Sequence, residues 1–377
     1  MRFRLEAVPA VEPFAIAVPD GVLDDLAARL QRSRLPERWL LAGGERAERL
    51  DEIAALHARW RDAFDWRAHE ARLNALEQLR VTVDGTVLHV VRHGAGRGRS
   101  PLLLANGWPS SFVEYVPVLD DLAADFELVV PGRPGYGFSE RGLGAPADDD
   151  RVADLFVGVM AALGHDRFLA HGDDFGGSVV SRIGLRHPDA VVGLHVLEWL
   201  EPHPEPRPSA DEQAYLDGVV AWEAAERAYG HVQATRPQTL ALALDDSPLG
   251  LLAWIADKWL SWSDPACGPL DPDLVLGTAT IFWATGTAAS SMRPYAERPP
   301  PLEPGERIGV PTVVTAAHEE RPPPPRSWLE RAYADLRDYR VRERGGHFFA
   351  AEDPAGFAAE LRATVATLTE GGGGPRH

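Results

Sequence analysis

Short apolar runs alternate with longer amphipathic stretches through two parts of the chain. The runs at 101–105, 126–130, 167–170, 191–196, 309–315 and 336–342 are predicted strands. The stretches at 112–124, 150–163, 178–185 and 354–369 are predicted helices between or after them. The apolar runs contain few alternating polar residues, which is typical of a parallel sheet covered on both faces. We therefore predict an α/β fold with a mostly parallel central sheet.

The first 93 residues have a different pattern. Apolar residues at helical spacing follow Pro19-Asp20, and further helices are predicted over 45–64 and from Asp65 through Gln78. The dipeptide Asp84-Gly85 separates alternating runs at 79–83 and 86–91, which predicts a β-hairpin. We assign residues 1–93 to a helical N-terminal extension that leads into the first strands of the core.

Residues 200–295 interrupt the alternation of strand and helix. They are helix-like and rich in Trp, and they contain no clear strand pattern. Because the α/β pattern resumes afterwards, we predict a helical cap between core parts at 94–199 and 296–370; a separate domain is the alternative. The glycine-rich tail at 371–377 is predicted to be disordered.

The segment 171–177, His-Gly-Asp-Asp-Phe-Gly-Gly, lies between a predicted strand and a predicted helix. Small residues around a tight strand-to-helix turn are typical of a nucleophile elbow, and the residue at its apex is Asp174. A carboxylate there suits attack on strained saturated carbon, giving an ester. A surface turn and a phosphate-binding loop are the alternatives for the segment taken alone.

Two further segments fall where the partners of such a nucleophile are expected, beyond the carboxyl ends of strands. His347 follows the last strand after two glycines and is the candidate general base. Glu319 and Glu320 follow the preceding strand, and spacing alone does not choose the acid between them. The backbone N–H groups of Trp108 and Phe175 are the candidate oxyanion hole, although an ordinary Gly-Pro turn also explains residues 106–109.

Composition narrows the range of partners and compartments. The 377 residues carry a net charge of −18, which disfavours nucleic acid and acidic membranes as partners. The single cysteine excludes an internal disulfide and is consistent with a reducing, cytoplasmic compartment. No secretory leader and no run of about 18 apolar residues is found, so no membrane association is expected.

The chain resembles the epoxide hydrolases of the microsomal and juvenile-hormone type, including their bacterial members, over roughly residues 11–365. The resemblance rests on separated segments: Val18-Pro19-Asp20, Phe64-Asp65-Trp66-Arg67, Gly107-Trp108-Pro109-Ser110-Ser111-Phe112-Val113-Glu114, Pro134-Gly135-Tyr136-Gly137-Phe138-Ser139, Thr235-Arg236-Pro237-Gln238-Thr239 and Gly345-Gly346-His347-Phe348. It implies an α/β-hydrolase core with a helical cap and the N-terminal domain that this family adds. The chain departs from the family at Asn106, usually His; at Asp173, usually uncharged; and at Phe175, usually Trp.

The resemblance also implies residue roles. Asp174 aligns with the nucleophile, His347 with the base and Glu320 with the acid. Tyr229 and Tyr295 align with two tyrosines that donate hydrogen bonds to the epoxide oxygen.

The resulting hypothesis is an epoxide hydrolase that makes a vicinal diol through an Asp174 ester, which water activated by His347 then hydrolyses. The substrate is expected to be an apolar or aromatic small molecule that binds in a pocket lined by Trp108, Phe175 and Phe138. No metal or cofactor is expected, and the oligomeric state stays open, with a homodimer among the options. The alternatives are a haloalkane dehalogenase, an epoxide-opening cyclase and an inactive small-molecule-binding hydrolase fold.

Overall fold

A mixed β-sheet forms the centre of the computed structural model, which describes residues 10–37, 45–96, 98–142, 146–205, 207–317 and 321–369. In these residues the strands are β1 (Ala10–Pro13), β2 (Glu77–Val83), β3 (Thr86–His93), β4 (Ser100–Ala105), β5 (Phe126–Pro131), β6 (Phe168–Gly172), β7 (Val191–Val196), β8 (Thr312–Ala316) and β9 (Leu336–Val341). Their order in the sheet is β1-β2-β3-β5-β4-β6-β7-β8-β9. The pairs from β1 to β5 at one edge are antiparallel, and those from β5 through β4 to β9 are parallel.

Sixteen α-helices surround this sheet within the described ranges. They are α1 (Asp20–Gln31), α2 (Glu45–Asp62), α3 (Trp66–Leu73), α4 (Val116–Leu122), α5 (Asp149–Ala162), α6 (Asp174–Arg186), α7 (Ala210–Glu226), α8 (Ala228–Thr235), α9 (Pro237–Leu244), α10 (Pro248–Trp262), α11 (Pro272–Thr285), α12 (Ala288–Ser291), α13 (Arg293–Ala296), α14 (Arg326–Ala332), α15 (Phe349–Glu352) and α16 (Pro354–Thr369). Short 3-10 helices lie at Phe112–Tyr115, Pro188–Ala190 and Pro265–Cys267.

Both faces of the sheet are covered, as the apolar runs predict. In β4, Leu103 and Ala105 pack into one core with residues of α5, α6 and α14, whereas Leu102 and Leu104 pack into another with residues of α4 and α16. Successive side chains of a strand point to opposite faces, so a strand buried on both sides must be apolar throughout. The prediction of an α/β fold with a mostly parallel sheet is confirmed.

The N-terminal helices pack against the helices between β7 and β8. A third core combines side chains of α1 and α2 with side chains of α10 and α11: Leu26, Leu30, Ile53, Trp60, Leu251, Ile255, Trp259 and Phe282. The Trp60 indole also donates a hydrogen bond to the Thr280 hydroxyl at 3.0 Å, and Arg59 pairs with Asp273 at 2.8 Å. Helices α1 and α2 therefore stabilise the positions of α10 and α11.

Several element bounds differ from the predictions for local reasons. The helix predicted through Gln78 ends at Leu73, because Gln78 belongs to β2 and its side-chain amide donates to the Leu73 carbonyl at 2.7 Å. The segment predicted as a helix from 112 begins as a 3-10 turn, and α4 starts at Val116. The strand predicted from 309 begins at Thr312. Every residue of β1 is exposed, so hydropathy alone does not predict this strand.

Within the described part of the chain, no helix by itself has the length and apolar character needed to cross a membrane. One pair, α9 and α10, meets the test jointly, and the two helices are bent by 118° at their junction.

Candidate active site

Asp174 lies at a sharp turn between β6 and α6. Its φ is +46°, in the left-handed region that side chains other than glycine rarely adopt, and it is the first residue of α6. The turn brings backbones very close together: a Cβ on Gly176 would lie 1.9 Å from the Ala105 carbonyl oxygen. The strained turn places Asp174 at the N-terminus of α6, where the helix dipole favours negative charge.

The loop after β4 holds this carboxylate from one side. The Trp108 backbone N–H donates to Asp174 Oδ1 at 2.9 Å. The approach requires glycine beforehand, since a Cβ on Gly107 would lie 2.0 Å from the same oxygen. Phe175 is the second residue of α6, and N–H groups in the first turn of a helix have no partner within that helix. Both predicted oxyanion donors therefore belong to the two segments that meet at Asp174.

His347 approaches the second carboxylate oxygen. Its Nε2 lies 3.8 Å from Asp174 Oδ2, and its side chain is almost fully buried. The loop that carries it is fixed by backbone contacts, since the His347 N–H donates to the Trp262 carbonyl at 2.8 Å. The sequence-predicted nucleophile and base are thus brought together at the carboxyl ends of β6 and β9.

A half-buried carboxylate that the sequence did not reveal accepts hydrogen bonds from the same loop. Glu352, at the end of α15, accepts N–H groups of Asp264 at 2.8 Å, Gly346 at 2.9 Å and Phe348 at 2.8 Å. Burial raises the pKa of Glu352, while these three donors oppose the shift by stabilising its charged form. The contacts clamp the residues on both sides of His347, so Glu352 acts on the base through the backbone.

Both acid candidates, Glu319 and Glu320, lie outside the described residues. Their described neighbours Ala317 and Arg321 line a small cavity of about 20 Å³ together with Asp174, His347 and Glu198. A cavity of this size holds one water molecule. Arg321 forms ion pairs with Glu198, at 3.6 Å, and with Glu201. These pairs connect the segment that begins at Arg321 to the segment that follows β7. No sequence motif predicts that Glu198 and Arg321 line this cavity.

Tyr229 and Tyr295 come from α8 and α13 and meet at their hydroxyl groups, 3.4 Å apart. Tyr229 stacks on the Trp108 indole, with ring centroids 5.4 Å apart and planes 14° apart. Burial raises the pKa of Tyr295 well above its ordinary value, and Tyr229 and the Asp174 carboxylate raise it further. Tyr295 therefore stays protonated and able to donate a hydrogen bond near neutral pH.

Both tyrosines open onto a cavity of about 490 Å³ that also reaches the nucleophile. Asp174, Phe175, Tyr229, Tyr295, Trp222 and Trp262 are among its lining residues. The volume lies in the range of small-molecule sites.

The predicted aromatic lining is only partly found. Phe175 lines the cavity, whereas the Trp108 indole supports Tyr229. Phe138 packs against Phe14 and His89, with ring centroids 5.7 and 5.5 Å apart, and is absent from the described lining. The prediction for Phe138 is therefore wrong, because its ring packs against Phe14 and against His89 of β3 and not against the cavity.

In the part of the chain that the structure describes, no group of three or more His, Cys, Asp or Glu side chains is placed to hold a metal ion. The absence of a metal or cofactor in the reaction stays a prediction.

Two family models match segments of the chain. Residues 11–115 match the model for the epoxide hydrolase N terminus, and residues 100–259 match the α/β-hydrolase fold. The class of the protein is therefore an α/β-hydrolase with an added N-terminal segment.

Individual relatives narrow that class. A Stigmatella aurantiaca protein named "Putative epoxide hydrolase" is 34% identical over 370 residues, covering 93% of this chain and 84% of the relative. The crystal structure of juvenile hormone epoxide hydrolase from the silkworm Bombyx mori aligns with a TM-score of 0.85 at 25% identity, covering 96% of this chain and 95% of that one. The Aspergillus niger epoxide hydrolase structure aligns with a TM-score of 0.84 at 29% identity, covering 95% and 97%. The chain belongs to the epoxide hydrolase family, and it is a hydrolase that acts on small-molecule epoxides.

Proposed function

We propose that this epoxide hydrolase works in two covalent steps with Asp174 as nucleophile and His347 as base. The observation that carries the proposal is the position of the Asp174 carboxylate. One oxygen is held by the Trp108 N–H at 2.9 Å, and the other lies 3.8 Å from His347 Nε2. These two distances support the proposal, because the oxygen that would become the ester carbonyl lies at a backbone donor and the attacking water would lie beside a base.

In the first step Asp174 Oδ2 attacks an epoxide carbon and the carbon–oxygen bond of the ring breaks. The ring oxygen becomes an alkoxide, which is a strong base and needs a hydrogen-bond donor close by. Tyr229 and Tyr295 supply two hydroxyl donors within the same cavity as the nucleophile. One of them transfers its proton to the alkoxide, and the resulting tyrosinate regains a proton from the Asp174 carboxylic acid that the second step releases. The product of this step is a hydroxyalkyl ester of Asp174.

In the second step a water molecule gives its proton to His347 as its oxygen bonds to the ester carbonyl carbon. The cavity of about 20 Å³ between Asp174 and His347 has room for that water. The negative charge that develops on the carbonyl oxygen is stabilised by the Trp108 and Phe175 N–H groups. The tetrahedral intermediate then expels the diol oxygen, which takes a proton from the imidazolium. Glu320 is proposed to orient the imidazole and to stabilise its charged form.

The substrate is proposed to be an apolar or aromatic epoxide. Six aromatic side chains line the cavity and support this class: Phe175, Trp199, Trp222, Tyr229, Trp262 and Tyr295. The division into extension, core and cap, a cytoplasmic location and assembly as a homodimer remain proposals of the same kind.

A single turnover in water enriched in oxygen-18 tests the two-step route. With enzyme in excess over an aryl epoxide, the first diol should carry no label, because its new oxygen comes from Asp174. One labelled oxygen should then be found in the Asp174 carboxylate after proteolysis and mass spectrometry. A labelled diol with an unlabelled carboxylate would show direct attack by water. Chloride release from a chloroalkane, with no diol from epoxides, would favour the dehalogenase instead.

A further inference from the structure

Lys258 is the single lysine of the chain, and it is buried. It lies on α10, and its side chain is 8% exposed. All other positively charged side chains of the sequence, histidines aside, are arginines. Lysine is almost never fully buried unless its charge is paired. The position of this ammonium group inside the protein therefore needs partners that compensate for the loss of water.

Two of these partners are aromatic rings of the substrate cavity. Lys258 Nζ lies 4.7 Å from the centroid of the Tyr229 ring and 5.3 Å from that of the Trp262 ring. The face of an aromatic ring attracts a cation at such distances. Tyr229 and Trp262 line the cavity, whereas Lys258 is not among its described lining residues. A substrate in the cavity therefore meets the rings, and the ammonium group acts through them.

Two carboxylates also face the ammonium group. Asp257, on α10, lies 2.9 Å from Lys258 Nζ, and Glu226, at the end of α7, lies 3.9 Å from it. These pairs offset part of the cost of burying the charge. Both carboxylate side chains are 41% exposed, so water screens their charges much more than it screens the buried ammonium. The positive charge is therefore the less screened of the charges beside Tyr229.

The hydroxyl of Tyr229 has a donor of its own. The Tyr295 hydroxyl donates to it at 3.4 Å, so a negative charge on the Tyr229 oxygen would face a hydrogen-bond donor as well as a cation. Tyr295 is less suited to lose its proton, because burial, Tyr229 and the Asp174 carboxylate all raise its pKa. The arginines among the described lining residues have other contacts: Arg182 with Asp150 at 3.5 Å, Arg227 with Glu223 at 3.4 Å, Arg321 with Glu198 at 3.6 Å, and Arg298 over the Phe175 ring.

We propose that Lys258 is a positioning residue for ring opening: its ammonium group stabilises the negative charge that Tyr229 acquires when it gives its proton to the epoxide oxygen. The inference rests on the two-step function proposed above, and it assigns the proton transfer to one of the two tyrosines. A tyrosinate has to persist for as long as the ester does. Its charge is spread over the ring that the ammonium group faces.

The atoms and electrons balance within that scheme. Asp174 Oδ2 bonds to an epoxide carbon, and the electron pair of the broken carbon–oxygen bond goes to the ring oxygen. That oxygen takes the Tyr229 proton. After ester hydrolysis, the Asp174 carboxylic acid returns a proton to Tyr229. Lys258 neither gains nor loses a proton in either step.

The expected effect follows from the distance between the charges. An opposite charge within about 4–6 Å favours the ionised form of a group by about one to three powers of ten, and the transition state of a proton transfer carries part of the new charge. Lys258→Met should therefore slow ester formation roughly tenfold. Ester hydrolysis should keep its rate, because His347 and not Tyr229 takes the proton of the water. Lys258→Arg retains the positive charge and should retain most of the rate.

The experiment measures both rates in single turnovers with an aryl epoxide, using rapid quenching and intact-protein mass spectrometry. Wild type, Lys258→Met, Lys258→Arg and Asp257→Asn are compared. Asp257→Asn is the matched control, because it weakens the same ion pair and leaves the cation in place, so ring opening should not slow.

Double variants show whether Lys258 acts through Tyr229. Lys258→Met is combined with Tyr229→Phe and, separately, with Tyr295→Phe. If the charge acts on the Tyr229 hydroxyl, Lys258→Met should add little to the loss in Tyr229→Phe and should keep its roughly tenfold effect in Tyr295→Phe.

The outcomes separate the two proposals. If wild type forms no Asp174 ester, the two-step function itself fails. If wild type forms the ester and Lys258→Met forms it equally fast, the role of Lys258 is wrong and the function stands. Equal slowing by Lys258→Met in wild type and in Tyr229→Phe, or slowing of the same size by Asp257→Asn, would indicate a merely structural contact and would also overturn the inference. Should Lys258→Met not fold, Lys258→Gln is judged by the same criteria.

Discussion

Replacing Glu352 with Gln tests how the histidine loop is held. The Glu352 carboxylate accepts three backbone N–H groups, those of Asp264 and Gly346 at Oε2 and that of Phe348 at Oε1. A glutamine offers one carbonyl oxygen and one NH₂ group. Whichever way the amide is turned, at least one of the three donors faces another donor. The substitution keeps the size of the side chain and changes only its charge and hydrogen bonding.

The size of the effect follows from these contacts. A buried donor left without an acceptor costs about 1–3 kcal/mol, and bonds to a charged acceptor are stronger than neutral ones. We expect Glu352→Gln to lower the free energy of unfolding by roughly 2–4 kcal/mol. Because Gly346 and Phe348 flank the base, His347 should also lose its alignment, and ester hydrolysis should slow more than ester formation. A misplacement of about 1 Å costs on the order of a hundredfold in rate.

Two assays measure these effects. Denaturant titration gives the free energy of unfolding, and single-turnover mass spectrometry gives the two rate constants separately. Glu343→Gln is the matched control, since Glu343 is exposed on the segment just before the same loop. A Glu352→Gln protein that retains both wild-type stability and wild-type hydrolysis would refute the role of the clamp.

Three further predictions concern Gly107, the two tyrosines and Asp173. Gly107→Ala should slow ester formation at least about a hundredfold, measured as adduct mass against time, because the new Cβ would lie 2.0 Å from Asp174 Oδ1. Tyr229→Phe or Tyr295→Phe should slow ring opening by about 10²–10³, the usual loss for one oxyanion donor, with hydrolysis of preformed ester unchanged. The pKa of Asp173 is raised from 3.8 to about 7, so the folded protein binds this proton more tightly than the unfolded chain. That stability is complete below the unfolded pKa and is lost as the pH rises through about 7, whereas Asp173→Asn should lack this decline when both proteins are unfolded with denaturant at several pH values.

Much of the core was predictable because its apolar runs and its turn and cap residues indicate the same elements that the packed structure contains. The strand at 191–196 and the helix at 354–369 have the predicted bounds, since an apolar run or a proline marks where each begins. The elbow was predictable for a steric reason, as Gly176 lies where any side chain would meet the Ala105 backbone. Spacing could place His347 after the last strand, but the distance to Asp174 depends on the register of the whole sheet.

Other parts of the site have no local signal. Tyr229 and Tyr295 are 66 residues apart in the sequence. Hydrophobic periodicity does not predict how their two helices pack together, so only the family resemblance pointed to these tyrosines. Glu352 acts through backbone N–H groups, and such contacts leave no residue motif. Phe138 was misassigned because the segment 134–139 has to turn sharply, and the direction of a side chain after such a turn is set by tertiary packing.

The central claim is that a covalent ester forms on Asp174 and that His347 is needed only to remove it. Intact-protein mass spectrometry of His347→Gln after incubation with aryl and alkyl epoxides tests this directly. The account predicts a stable gain of one epoxide mass, mapped to Asp174 and absent when Asp174→Ala is added to the variant. No adduct on His347→Gln, under conditions in which the wild-type enzyme makes diol from the same epoxide, would contradict it.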